Sequence, residues 1–378
     1  MILALIVAGT VWLGRSDSEI AGTITVAEAM TGDTTGYARA TGPRTFSFPE
    51  DHGPHPEYKT EWWYYTGNLS SPEKRHFGYQ FTIFRIALTP EQPDAGRTSE
   101  WATNQLYMAH FTLTDVTSNR FQSFERFSRG AAGLAGAETT PHRVWLEDWT
   151  ISQDEGDSAS FRIRVGQDDI AVDLLLEPAK PVVLQGQNGY DRKGPRPGDA
   201  SYYYSIPRLA TSGSVRTPQG VFDVEGLSWM DREWSTSALE TNQVGWDWFS
   251  LHLSDGRDLM YYQIRERGGT VSSFSDGVLI DRDGTVTPLL ASDVEIEVTD
   301  HWKSPRTGAE YPAGWVVRVP SERLELEIVP YVLDQELETT IRYWEGAVRF
   351  TGKTGDKPLD GSGYVEMTGY GFNPGQRM

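Results

Sequence analysis

The densest chemical string in the chain is Trp229-Met230-Asp231-Arg232-Glu233-Trp234. On a strand, alternation puts Trp229 and Asp231 on one face. A carboxyl facing an aromatic-lined cavity has its pKa raised by desolvation. It then stays protonated near neutral pH and can donate a proton. The plainer reading is a turn or interface carboxylate paired with Arg232 or another Arg. Glu61 stands before Trp62 and Trp63, and a carboxylate among rings is either exposed or buried with a partner. Arg85 and Arg265 are its candidate partners, and a structural ion pair closing a barrel is the plainer account.

In Asp51-His52-Gly53-Pro54-His55 the two imidazoles are three residues apart, with Asp51 and Glu57 nearby. On a Pro-rich loop that spacing has no fixed geometry, and no second His pair follows to complete a metal site. A hydrogen-bonded loop plugging or rimming a barrel is expected, with a His at a cavity mouth as the intermediate reading. The chain has no Gly-x-Ser-x-Gly elbow, phosphate loop or dinucleotide fingerprint.

The elements that must position these groups read as strands. Glu61 to Arg85 is two strands and a turn. Phe77, Tyr79, Phe81 and Ile83 alternate with smaller or polar residues, a period of two. Gly245 to Arg265 repeats the unit. Trp62 aligns with Trp246, Tyr64 with Trp248 and Leu69 with Leu253, and Arg85 falls on Arg265 after an even deletion at the turn. An even deletion keeps every side chain on its face. Further segments recur in order. Phe161–Val165 resembles Trp315–Val319, and Val172–Pro178 resembles Leu324–Pro330. Gly213–Arg216 resembles Gly346–Arg349, and Gly226–Asp231 resembles Gly361–Glu366. Four weak likenesses in one order imply duplication. Gln105–Asp115, Val144–Ile151 and Ser201–Ser205 supply other strands. A short helix is expected only near Glu125–Gly136. The fold expected is all-β: two tandem antiparallel barrels side by side, of roughly 8–10 strands each.

At 378 residues the chain is long enough for two cored domains. The absence of Cys excludes disulfides, thiolate metal sites and a Cys nucleophile. A net charge of −19 argues against a nucleic-acid partner. The 13 Trp suit large cores or a ring-lined cavity. Ile2–Leu13 is short for a membrane span and right for the apolar region of a signal peptide, although no Lys or Arg precedes it. The expected location is therefore periplasmic or secreted, with an N-terminal anchor as the variant. Residues 15 to 43 read as a tether, with structure beginning near Phe46.

The strings FPEDHGPHPEYKTEWWYYTGNL, FGYQFTIFR, GLSWMDREW, GWDWFSLHLSDGR and GSGYVEMTGY resemble the AttH/CrtC family of lipocalin-like proteins. The resemblance runs from about Phe46 to Phe372. It implies a pair of calycin-type barrels: residues 1–43 as signal or anchor and tether, 44–235 as the first barrel and 236–378 as the second. It implies no metal or organic cofactor. The family includes carotenoid 1,2-hydratases, fungal proteins that guide polyketide cyclisation, and proteins encoded beside transporter genes. An inner-membrane transporter complex is thus an expected partner.

In the hydratase branch an acid in a string similar to Tyr-x-Asp-His-x-Trp protonates an isolated double bond. Here Asp231 and Trp234 keep that pattern, while Trp229 replaces the Tyr and Arg232 the His. Arg does not deprotonate and is a poor proton shuttle. The leading expectation is a carrier of a hydrophobic, isoprenoid or lipid-like molecule. The alternative is a hydratase with Asp231 as proton donor. The expected ligand-binding residues are Trp62, Tyr64, Tyr204, Trp229, Trp246 and Trp248, with His52, His55, Glu61 and Arg85.

Overall fold

The computed structural model describes residues 24–25, 33–91, 99, 103–154, 159–236, 239–240 and 242–371. The apolar run Ile2–Leu13 lies outside them. Among the described residues no helix is long and apolar enough to cross a membrane. Apart from two single 3-10 turns, the described regular structure is β.

One sheet curls into a near-closed barrel. Its main path runs Arg120–Arg129, Gln105–Asp115, His76–Ala87, Thr60–Ser70, Gly220–Ser235, Ala200–Thr217, Ile170–Pro178, Phe161–Gln167, Trp149–Gln153, His142–Leu146 and Ala135–Thr139. The second sheet forms a half-barrel. Its path runs Val286–Leu290, Asp276–Ile280, Asp258–Glu266, Gln243–Leu253, Lys357–Thr368, Ile341–Thr354, Leu324–Pro330, Glu310–Val319 and Glu295–Lys303. The two paths visit their strands in the same order. Thr60–Ser70 and Gln243–Leu253 take equivalent places, as do Gly220–Ser235 and Lys357–Thr368. The duplication read from the residues is therefore present in the connectivity.

Two expectations are corrected. Glu125–Gly136 holds no helix: the strand Arg120–Arg129 pairs along Gln105–Asp115, and Phe124 stands opposite Phe111, ring centroids 5.9 Å apart. Period-two pairing won over weak helical spacing because it satisfies the backbone and buries the ring together. Structure also begins before Phe46. Ala40 is buried, the Tyr37 hydroxyl donates to Ala87 O (2.9 Å), and Ala38 N donates to Glu57 O (2.9 Å).

Both faces of Thr60–Ser70 are buried, which explains its aromatic run. Trp63 and Tyr65 point into the first barrel's core. Tyr64, from the other face, joins Tyr203, Trp229, Trp248, Tyr262 and Tyr364 in a cluster between the sheets. The sheets pack tightly at Gly78, where a Cβ would lie 2.4 Å from Ala347 Cβ. Asn68 Nδ2 donates to Gly363 O (2.8 Å), and Asp258 ties Lys180 and Arg208 across the join, each at 2.7 Å.

Candidate functional site

The cavity with the strongest chemistry lies between the sheets, enclosing about 120 Å³. Eight of its sixteen lining residues carry aromatic rings, so an apolar or cationic occupant has faces to meet. Trp62, Tyr64 and Phe84 come from the first hairpin. Asp231, Glu233, Ser235, Ser201 and Tyr203 come from the long central strands. Trp246, Trp248, Tyr262, Ile264, Tyr343 and Glu366 come from the second sheet. Lys193 and Leu239 complete the lining from loops.

Asp231 is buried on the cavity wall. Its Oδ1 accepts from Ser205 Oγ (2.5 Å) and Trp229 Nε1 (2.6 Å), and its Oδ2 accepts from the Tyr203 hydroxyl (2.6 Å). Tyr203 in turn accepts from Trp248 Nε1 at 3.2 Å. Burial pushes the Asp231 carboxyl up to about 6, against the pull of these donors and of Lys193. Glu233 is pushed up to about 7 by burial, with Lys193 opposing. Glu366 accepts from Trp246 Nε1 (2.6 Å) and is likewise pushed up to about 7, mainly by desolvation. Behind it Glu345 accepts from the Tyr64 hydroxyl (2.5 Å). Burial and the neighbouring Glu366 hold Glu345 well above the usual carboxylate range. Burial alone would lower the Lys193 ammonium, but Asp191 and Glu233 hold it above its ordinary value.

The structure sorts the expected residues by face. Trp62, Tyr64, Asp231, Trp246 and Trp248 line this cavity. Trp229 sits behind it and holds Asp231. Tyr204, His52, His55, Glu61 and Arg85 do not line it; they belong to the interior and mouth of the first barrel. Trp63 Nε1 donates to His52 O (2.8 Å), so the loop from Phe48 to Tyr58 is pinned in that mouth. His52 Nδ1 meets the Tyr204 hydroxyl at 2.6 Å, whereas His55 meets Asp51 at 3.0 Å and stacks on Trp234 at 3.7 Å. The two imidazoles thus face different partners. Glu61 is fully buried between Arg85 and Arg232. Burial opposes its charge, but the two guanidiniums hold it well below the usual carboxylate range. The equivalent Arg265 pairs with Asp247 at 3.1 Å.

Arg232 therefore does not stand where the hydratase string suggested. Alternation sends it into the barrel, its guanidinium 4.0 Å over the Trp63 ring, while Asp231 faces the cavity. Its failure as a proton shuttle has no bearing on the Asp231 proton. No motif or spacing marks Tyr203, Lys193, Tyr262 or Tyr343, whereas Glu233 lies in the dense string around Asp231 and Glu366 aligns with Asp231 in the repeated segment.

At 36% identity, the chain superposes on the crystal structure of a Nitrosomonas europaea protein assigned as AttH with a TM-score of 0.77, covering 88% of this chain and 99% of that one. Kievitone hydratase from Nectria haematococca gives 0.64 at 16% identity, covering 88% and 95%. CghA gives 0.55 at 12% identity, covering 89% and 97%. The last two likenesses are of fold. No curated protein matches the sequence. The AttH-like family profile matches residues 39–370, both sheets and the cavity between them, and the chain belongs to that family.

Proposed function

We propose that the protein binds an apolar, isoprenoid or lipid-like small molecule in the cavity between its sheets and that Asp231 protonates a double bond of it, as a hydratase does. One observation carries this reading: a buried carboxyl, pushed up to about 6, on the wall of a ring-lined cavity. Its proton forms a C–H bond as the π bond breaks. The cation left on the other alkene carbon lies among ring faces such as Tyr64 and Trp248, which attract positive charge. Tyr203, Ser205 and Trp229 hold the carboxylate meanwhile, with no rearrangement needed. Water adds to the cation and returns one proton to Asp231. Kievitone hydratase shares the fold, which is support by analogy.

A second reading is a carrier, accessory to a membrane transporter and exported. It is favoured by the occupancy of Asp231, whose two oxygens already accept three hydrogen bonds. A carrier needs only the rings and the polar rim. The deciding experiment incubates the protein with a lipid and isoprenoid extract of its source and reads retained compounds by mass spectrometry. A compound that gains one water with the wild type and is retained unchanged by Asp231→Asn supports the hydratase. A compound returned unchanged by both supports the carrier. Retention of nothing ends both readings.

A further inference from the structure

We propose that the same cavity recognises a positively charged alkylammonium group, so that its ligands include molecules with a quaternary or tertiary ammonium on a short branched end. This rests on the cavity of the preceding reading, not on the proton transfer.

The internal repeat brings two acids to one space. Asp231 lies opposite Tyr64 in the strand register, and Glu366 lies opposite Trp248. The two rings meet edge to face, centroids 5.3 Å apart. Glu233 follows Asp231 on the same face, giving three carboxyl groups on the lining. Among the described residues the one lining cation is Lys193, already engaged by Asp191, with Glu233 at 3.9 Å. The carboxyl groups thus outnumber the positive charge available to them. Rings with carboxylates around a small space form the chemistry that binds an ammonium ion, through ring faces and direct charge.

The protein already places one ammonium in this way. Lys193 Nζ sits 3.8 Å from the Tyr262 ring centroid and 5.3 Å from that of Tyr203. The open side of the lining is formed by half-buried Trp62, Phe84, Leu239, Trp246 and Glu366 together with half-buried Lys193, so a second cation would enter over the rings and Glu366. An anionic ligand would meet these acids and be repelled. The groups facing the site are Asp231, Glu233, Tyr203 and Lys193 from the first sheet and its loop, and Glu366, Tyr262 and Tyr343 from the second. Glu345 and Asp191 stand behind them, bonded to Tyr64 and Tyr262.

The test compares choline with its uncharged isostere 3,3-dimethylbutan-1-ol, reading tryptophan fluorescence at low salt and about pH 8, where the acids ionise against a cation. Choline is expected to bind the wild type about tenfold more tightly than the alcohol. Glu366→Gln should remove most of that preference and leave the alcohol unaffected. Trp62→Leu, at the half-buried rim, should weaken choline in a variant whose carboxyl groups are intact. Phosphocholine is the third ligand. Weaker binding than choline supports a free ammonium, and equal binding supports the cation site with a lipid headgroup as its source. Equal or tighter binding of the alcohol, or no saturable binding of choline, overturns the inference. Neither result touches the preceding reading, which the extract experiment with Asp231→Asn decides separately.

Discussion

Asp231 and Glu366 occupy equivalent positions in the two halves of the repeat and reach one cavity from opposite sheets. Asp231 is register partner to Tyr64, and Glu366 to Trp248, the residue equivalent to Tyr64. Duplication alone would give each half its own acid. Docking the half-barrel against the outer wall of the first barrel puts both acids in one space. Each acid accepts an indole N–H, from Trp229 and Trp246 respectively.

The raised Asp231 carboxyl makes a pH-dependent contribution to stability. Its folded value of about 6 exceeds the ordinary carboxylate value, so the folded state binds the proton more tightly than the unfolded chain. That contribution is full below about pH 4 and is lost as pH rises through about 6. Half-buried His52 and His76 and buried His142 have values lowered mainly by desolvation and carry the opposite slope, so the wild-type curve mixes the two. The difference between wild type and Asp231→Asn isolates the acid. In urea unfolding, the variant should gain on the wild type by about 2 kcal/mol between about pH 4 and pH 7. A constant difference across that range would contradict the burial argument.

Glu61→Gln should destabilise the first barrel strongly. It leaves Arg85 and Arg232 buried without their shared carboxylate. The expected loss is about 3–5 kcal/mol in denaturant unfolding. Ligand affinity at the cavity, measured where the variant is still folded, should stay unchanged, because Glu61 faces the barrel interior.

Tyr203→Phe and Tyr204→Phe should separate cleanly although the residues are neighbours. Tyr203 donates to Asp231, so its loss should raise the Asp231 value and move any pH profile of turnover or binding to higher pH. Tyr204 meets His52 inside the barrel, so its loss should move stability by about 1 kcal/mol and leave the profile in place. Equal profile shifts in the two variants would contradict the assignment of faces.

Gly78→Ala tests a tight contact between the sheets. The added methyl meets Ala347 Cβ and the Tyr364 hydroxyl oxygen at 2.4 and 3.0 Å. Overpacking of this kind costs about 1–3 kcal/mol. The thermal midpoint should fall and ligand affinity should weaken, since the cavity depends on the same join. Gly78→Ala combined with Ala347→Gly should recover much of both.

Much of the architecture is legible in local pattern. The Phe77-to-Ile83 alternation and the offset from Trp62 to Trp246 specify strands and a repeat, and both are present in the sheets. The pairing of Glu61 with Arg85 is also legible, since the two residues face each other across the first hairpin. The helix expected at Glu125–Gly136 fails because pairing with a neighbouring strand, a non-local event, outweighs local periodicity. Lys193 escapes notice because it lies in a Gly/Pro-rich stretch without periodicity.

What the sequence determines by itself is which side chains travel together. Period-two alternation ties Trp62 to Tyr64, Glu61 to Trp63, and Trp229 to Asp231 and Glu233, whatever the rest of the chain does. Only the tertiary structure decides which of those faces looks into a barrel and which looks across at the other sheet. Tyr203 and Tyr204 show the difference: identical in type and adjacent in sequence, one holds Asp231 at the cavity and the other closes on His52 in the core. The physical reason is range. Alternation is set by the backbone geometry of each strand, whereas the face that is buried inward is chosen by barrel curvature and by the docking of a second sheet far away in sequence.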